Sequence, residues 1–451
     1  MSFSLFESRD IELLQQAVET LSTGFGHLPA SNAPSVADTD KAAIQDAAQR
    51  MHDNYPYAHP LYAGQMLKPP HPVARAAYQM AMWVNPNNHA LDGGRASSEM
   101  EKEAVAEIAS MFGFSQYLGH LTSSGTLANL EALWIARETH PGLPIAGSNS
   151  AHYTHSRLSK VLNIEYHGIE CKQNGRMDLE ALESLASSTQ LGTVVATAGT
   201  TSAGAVDPVH EITAMGKRYN FRVHVDAAYG GYFRLANTLG DNASAAYRAI
   251  ANAHSVAIDP HKHGLQPYGC GCVVFSDPEV GKHYLHDSPY TYFSSDELHL
   301  GEISLECSRA GAAAVALWTT QKALPLTPAG KFAEALESSI NAARRLNDYL
   351  AASDLFTPIM PPELDIVMWL VNAATPQDAS DRAHRLFDAA AQRDLHLALI
   401  QLEPSQLPDS HAHWRSHDKP VACLRSCLMK AEHDDWLDTI WQRLLQAADT
   451  L

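Results

Sequence analysis

The chain has 451 residues, enough for one large domain and a smaller one. With 45% hydrophobic and 18% charged residues it reads as an ordinary globular enzyme, not a disordered or fibrous protein. A net charge of −18 argues against nucleic acid or an anionic membrane as partner, so an anionic ligand needs a local patch of backbone N–H groups and cations.

Residues 1–50 carry a helical pattern broken by the loop Thr23–Asp40, as in an arm and not a core domain. The start, Met1–Asp10, holds acid and no long apolar core, so it does not read as a signal peptide. No run of about 18 apolar residues follows anywhere, so no membrane span is expected. His52–Pro72 is rich in Pro, Tyr and His and reads as a loop or pocket wall.

Apolar positions at helical spacing predict a helix over Ser97–Met111 and another over Leu127–Glu138, after the small-residue turn Thr122-Ser123-Ser124-Gly125-Thr126. Short Val- and Ile-rich runs follow at Gly192–Ala198, Phe221–Asp226, Ser255–Ile258 and Cys270–Phe275. A helical-length segment, Val209–Tyr219, separates two of them, which predicts a mostly parallel sheet with helices on its faces. An Ala-rich helix is expected over Ser304–Lys322.

Pro325–Pro328 marks a boundary, and the helices and strands beyond it suggest a small α+β unit. The expected division is an arm (1–50), a large α/β domain (51–325) and a small C-terminal α+β domain (326–451). The six cysteines form no CxxC pair, so they read as small buried residues of a reducing cytosol, and no metal site is expected.

Several residues carry chemistry. Asp226 ends an apolar strand, where ligands of open α/β sheets bind. Lys262 closes the next such run, in Asp259-Pro260-His261-Lys262. A buried carboxylate and a lysine so placed suit pyridoxal 5'-phosphate (PLP): the lysine forms an imine with the aldehyde, and the aspartate keeps the pyridine nitrogen protonated. Gly125 and Thr126 open a helix whose free N–H groups can hold a phosphate.

Ala228 is small enough for a flat ring to lie close, and His152 is planar and able to stack on one. Thr200 and Thr201 are candidate hydroxyl partners. Tyr290 or Tyr292, in a polar-aromatic loop, can supply a proton. Arg309 and Arg425 sit in apolar surroundings, and each wants an anion, a structural carboxylate being the first candidate for either alone.

Together these residues resemble the group II PLP-dependent amino-acid decarboxylases, which include aromatic-amino-acid, histidine, glutamate and tyrosine decarboxylases, with sphingosine-phosphate lyase as a relative. Ala151-His152-Tyr153, His224-Val225-Asp226-Ala227-Ala228 and Asp259-Pro260-His261-Lys262 carry the resemblance, which covers roughly His59–Arg309. It implies fold type I, the aspartate-aminotransferase-like fold, in a cytoplasmic homodimer that turns an L-amino acid into its amine and CO2.

By that resemblance Lys262 is the Schiff-base lysine and Asp226 the partner of the pyridine nitrogen. His152 and Ala228 lie on the two ring faces, while Gly125 and Thr126, with His261, hold the phosphate. His59 and Tyr62 stand at the substrate-pocket entry, and Tyr290 or Tyr292 falls at the mobile-loop tyrosine. Arg425 is a substrate-binding candidate, because aminotransferases of this fold hold the α-carboxylate with an arginine of the C-terminal domain.

Two rivals remain at this stage. One is another PLP reaction on the same fold: carbon–carbon cleavage, aldehyde-forming oxidative deamination or transamination. The other is a binding module without catalysis, against which intact Lys262, Asp226 and His152 argue.

Overall fold

The computed structural model describes residues 3–31, 35–285, 297–449 and 451. Its main sheet has seven strands: β1 (Leu118–Thr122), β2 (Ile145–Ser148), β3 (Tyr166–Ile169), β4 (Thr193–Thr197), β5 (Arg222–Asp226), β6 (Ser255–Ile258) and β7 (Gly271–Phe275). Their order is β1-β7-β6-β5-β4-β2-β3. Pairing is parallel from β3 through β6, and β7 runs against both of its neighbours. Every residue of β2, β4, β6 and β7 is buried. That is why these strands read as short continuous apolar runs without polar alternation.

Because β1, β2, β4, β5 and β6 point the same way, their carboxyl ends share one edge of the sheet. The turns that follow them hold Ser124, His152, Thr201, Ala228 and Lys262. Helix boundaries follow local chemistry. Ser124 caps the helix Gly125–Thr139, its hydroxyl accepting the Leu127 N–H at 3.2 Å. The helix Val209–Tyr219 stops at Asn220, whose φ of 58° is left-handed and which a short polar side chain tolerates.

A second sheet is fully antiparallel, in the order β10-β11-β9-β8, from β8 (Phe356–Pro358), β9 (Ile366–Val371), β10 (Ala398–Leu402) and β11 (Val421–Cys427). The helices Lys331–Ala351, Pro376–Ala391 and His433–Ala448 pack on it around the fully buried Trp369. Leu61 and Ala63 belong to that core, and Tyr62 bridges to His396, so this stretch of chain joins the second sheet. The two helices of the first fifty residues, Ser8–Thr23 and Asp38–Arg50, bury no residue.

The Ala-rich helix is shorter than its composition predicts, Gly311–Ala323. Residues 304–310 are held off helical geometry by ties to other segments. Glu306 accepts the Ser123 N–H at 2.8 Å, and the Arg309 carbonyl accepts from Asn88. Strands β1, β2 and β3 were hidden in sequence by their Gly, His and Ser content. Among the described residues no helix is long and apolar enough to cross a membrane, and no group of three or more His, Cys, Asp or Glu side chains is placed to hold a metal.

Candidate active site

Asp226 ends β5 at the sheet edge and is 5% exposed. One carboxylate oxygen accepts the Ala228 N–H at 3.1 Å, and the other lies 2.7 Å from His155 Nε2. Burial pushes this carboxyl upward. The His155 hydrogen bond and charge outweigh it, with Lys262 and His224 adding to them, and Asp226 is held well below the ordinary carboxylate range. An anion is therefore maintained at the floor of the cleft. His155 is fully buried, and its Nδ1 has no partner. Behind it His224 is fixed between Ser255 Oγ at 2.9 Å and Asn129 Oδ1 at 2.8 Å, and burial drives its pKa down to about 3.

Lys262 follows β6 and reaches the same cleft, its Nζ 3.1 Å from Asp259 Oδ2. His261 lies 3.6 Å from that oxygen through Nε2 and is oriented by the Cys270 carbonyl, 2.7 Å from Nδ1. The remaining Asp259 oxygen is buried without a partner among the described residues. It lies against the first residue of the helix Gly125–Thr139. A Cβ built on Gly125 would come within 2.5 Å of it, so only glycine lets the helix start approach this carboxylate.

The cleft has a volume of about 660 Å³ including its open mouth. Ser124, Gly125 and Thr126 line it beside the helix start, and His152, Asp226, Ala228, His261 and Lys262 complete the set named from sequence. His152 is held by Thr154 Oγ1, 2.5 Å from Nδ1, and packs on Tyr153 with ring centroids 4.4 Å apart. Burial lowers its pKa, against the pull of Asp226.

Three expectations need correction. Thr200 is fully buried and its hydroxyl accepts the Ala205 N–H at 3.0 Å, so it closes its own turn; its neighbour Thr201 lines the cleft. His59 packs between Phe3 and Trp436, ring centroids 5.0 and 4.9 Å away, and lies outside the cleft. Tyr62 is drawn off by the backbone pairing with His396 and packs on Tyr57.

Arg425 sits on β11, buried and not among the residues lining the cleft, with a contact to Cys427 Sγ at 3.0 Å and its Nε unpartnered among the described residues. Among the described residues no carboxylate lies within ion-pair distance of it. Arg309 instead pairs with the buried Glu101 at 2.6 Å and is structural. Tyr290 and Tyr292 lie outside the described residues.

Sequence reasoning missed four lining or supporting residues. These are His155, Asn129, Thr197 with its unpartnered buried hydroxyl, and Tyr229, whose hydroxyl donates to Asp365 at 2.7 Å.

These residues fit a cofactor with an aldehyde, a basic ring nitrogen and a phosphate. The cleft offers a primary amine, a buried anion and a helix start, in that chemical order, and it leaves buried polar atoms on Asp259 and Thr197 without partners.

Residues 73–371 match the pyridoxal-dependent decarboxylase conserved domain. The chain belongs to the pyridoxal-dependent decarboxylase family. Its cofactor is PLP and its reaction is the decarboxylation of an amino acid. It is 28% identical over 444 residues to an L-tyrosine decarboxylase of Enterococcus faecium, covering 74% of this chain and 72% of that one. It is also 28% identical over 327 residues to a probable L-tyrosine/L-aspartate decarboxylase of Methanothermobacter thermautotrophicus, covering 72% and 86%. The fold matches the crystal structure of Oryza sativa TDC with PLP and tryptamine at a TM-score of 0.79 and 18% identity, over 100% of this chain and 99% of that one. The architecture is fold type I, a mostly parallel α/β sheet.

Proposed function

We propose that Lys262 is the amine to which the cofactor aldehyde is joined, and that the cleft converts an L-amino acid to its amine and CO2. The observation that carries this reading is the meeting of Lys262, Asp226 and His152, from the carboxyl ends of three separate strands, on one cleft. When bound, PLP supplies a cationic ring that accepts the electron pair left as CO2 departs.

Each residue then has a task. Asp226, kept anionic by His155, holds the ring nitrogen protonated. Gly125 and Thr126 offer N–H groups at the helix start to the phosphate, with His261 beside them and Thr201 in the place first given to Thr200. His152 and Ala228 flank the ring. Arg425, which pairs with no carboxylate among the described residues, is assigned to the substrate carboxylate. Tyr290 or Tyr292 returns a proton to the α-carbon.

Tyrosine and aspartate, which name the relatives above, are the first substrates to test. The assay measures CO2, amine, aldehyde and keto acid together. Equal yields of CO2 and amine are expected. Consumption of a keto acid with no CO2 contradicts the proposal. An Arg425→Met variant is expected to raise KM more than it lowers kcat.

The proposed assembly is a homodimer. Support comes from the arm, whose Phe3, Leu5, Phe6, Ile11 and Ile44 are all more than half exposed, an apolar surface that a second copy would cover. The division at 50 and 325 belongs to this proposal too, supported by two separate sheets, while Phe332, Leu336 and Ile340 pack on the first core and Leu61 and Ala63 on the second. Cytoplasmic placement is supported by six unpaired cysteines.

A further inference from the structure

A second cavity, about 880 Å³ including its mouth, is lined by residues from 68–72, 263–265, 324–336 and 430–432 and shares no lining residue with the cleft. One wall is apolar, from Pro69, Pro70, Leu265, Leu324, Phe332 and Leu336. The other carries Lys68, Lys430 and His263, with Lys331 at the rim.

Lys430 is 4% exposed, and its ammonium finds the Tyr62 carbonyl at 2.6 Å and the Tyr62 ring face at 5.3 Å. Lys68 reaches the Met429 carbonyl at 3.2 Å. Each ammonium has three N–H donors and spends one. Among the described residues neither lysine has a carboxylate within 4.0 Å. Glu432 also lines the cavity and acts on both ammonium groups from beyond that distance, as the buried Asp365 does on Lys68. His263 is 1% exposed; its Nε2 lies 3.2 Å from Asp365 Oδ2, and among the described residues its Nδ1 has no partner.

Lys430 is buried and Lys68 half-buried, and among the described residues neither ammonium has a direct ion pair to offset that burial, which is costly. Burial, with Lys68 adding to it, holds the Lys430 amine down to about 7, and burial holds Lys68 down to about 8. The first residues of the helices Pro72–Met82 and Lys331–Ala351, and Glu432, which precedes the helix His433–Ala448, line the same space.

We propose that this cavity binds a small organic anion, a carboxylate with a compact aromatic or branched aliphatic body. The carboxylate sits between Lys68 and Lys430, and the body lies on the proline- and leucine-lined wall. The apolar wall favours such a ligand over inorganic phosphate, which has nothing to bury there.

The test is calorimetric titration of the holoenzyme with benzoate, 4-methylvalerate and inorganic phosphate, each separately. Benzoate or 4-methylvalerate is expected to bind saturably with a Kd of about 1 mM or tighter. Binding is expected to weaken at least tenfold (about 1.4 kcal/mol) in Lys430→Met and in Lys68→Met, and to survive in Arg425→Met, a residue that does not line this cavity. Leu336→Trp, which puts a larger side chain at an apolar lining position and keeps both lysines, is expected to abolish binding even if a lysine variant fails to fold. Absence of saturable binding, or binding indifferent to all three cavity substitutions, overturns the proposal. Phosphate binding as tightly as the organic anions overturns the assigned ligand class.

Discussion

Replacing His155 by leucine removes the donor on one oxygen of Asp226 and leaves that oxygen buried against an apolar side chain. A buried hydrogen bond to a charged group contributes about 1.5–3 kcal/mol. One pKa unit corresponds to about 1.4 kcal/mol, so the Asp226 carboxyl should rise by about one to two units. The Ala228 N–H remains on the other oxygen and limits the change. If the whole loss is felt where ring protonation matters, kcat falls by about 10- to 100-fold. The assay pairs CO2 release with the absorbance of the bound cofactor as a function of pH. His155→Leu is expected to slow turnover and shift that titration. His155→Gln, whose amide N–H can reach the same oxygen, is expected to recover most of both. Unchanged turnover and an unchanged absorbance titration in the leucine variant refute the assigned role of this histidine.

Other consequences follow from single contacts. Gly125→Ala places a methyl within 2.5 Å of the Asp259 carboxylate, so the helix start must move. Cofactor affinity, read by fluorescence titration, is expected to fall at least tenfold, with about 1–3 kcal/mol lost from folding in a denaturant titration. For Lys430 the folded-state pKa, about 7, lies below its ordinary value of 10.5, so between these limits the unfolded chain binds more protons. Stability from this group therefore rises as pH increases from about 7 toward 10.5. A denaturation series across that window is expected to show the slope in the native protein and to lose it in Lys430→Met.

Much of the site was legible because its chemistry is local in sequence. Asp226 and Lys262 each close a short apolar run, and the strand ends alone say that both face one edge of a parallel sheet. His152 stood in an unusual polar turn. What escaped depends on contacts between distant segments. His155 is three residues from His152, yet its partner is 71 positions away and its burial beneath the cleft exists only after folding. The choice between Thr200 and Thr201 turns on one residue of register in a turn, where the Ala205 N–H claims one hydroxyl and frees the other for the cleft. His59 and Tyr62 look like pocket residues by composition, but the backbone pairing of this stretch with His396 commits it to the second sheet. Strand β3, with Tyr, His and Gly in four residues, carries no apolar run to read because it is the outer strand and only its last residue is buried.

The measurement that tests the central claim most directly is borohydride reduction of the holoenzyme followed by peptide mapping. The account predicts a single pyridoxyl label on the peptide containing Lys262, and no label in Lys262→Ala. A label on another lysine, or a protein that takes up no B6 vitamer at all, contradicts it.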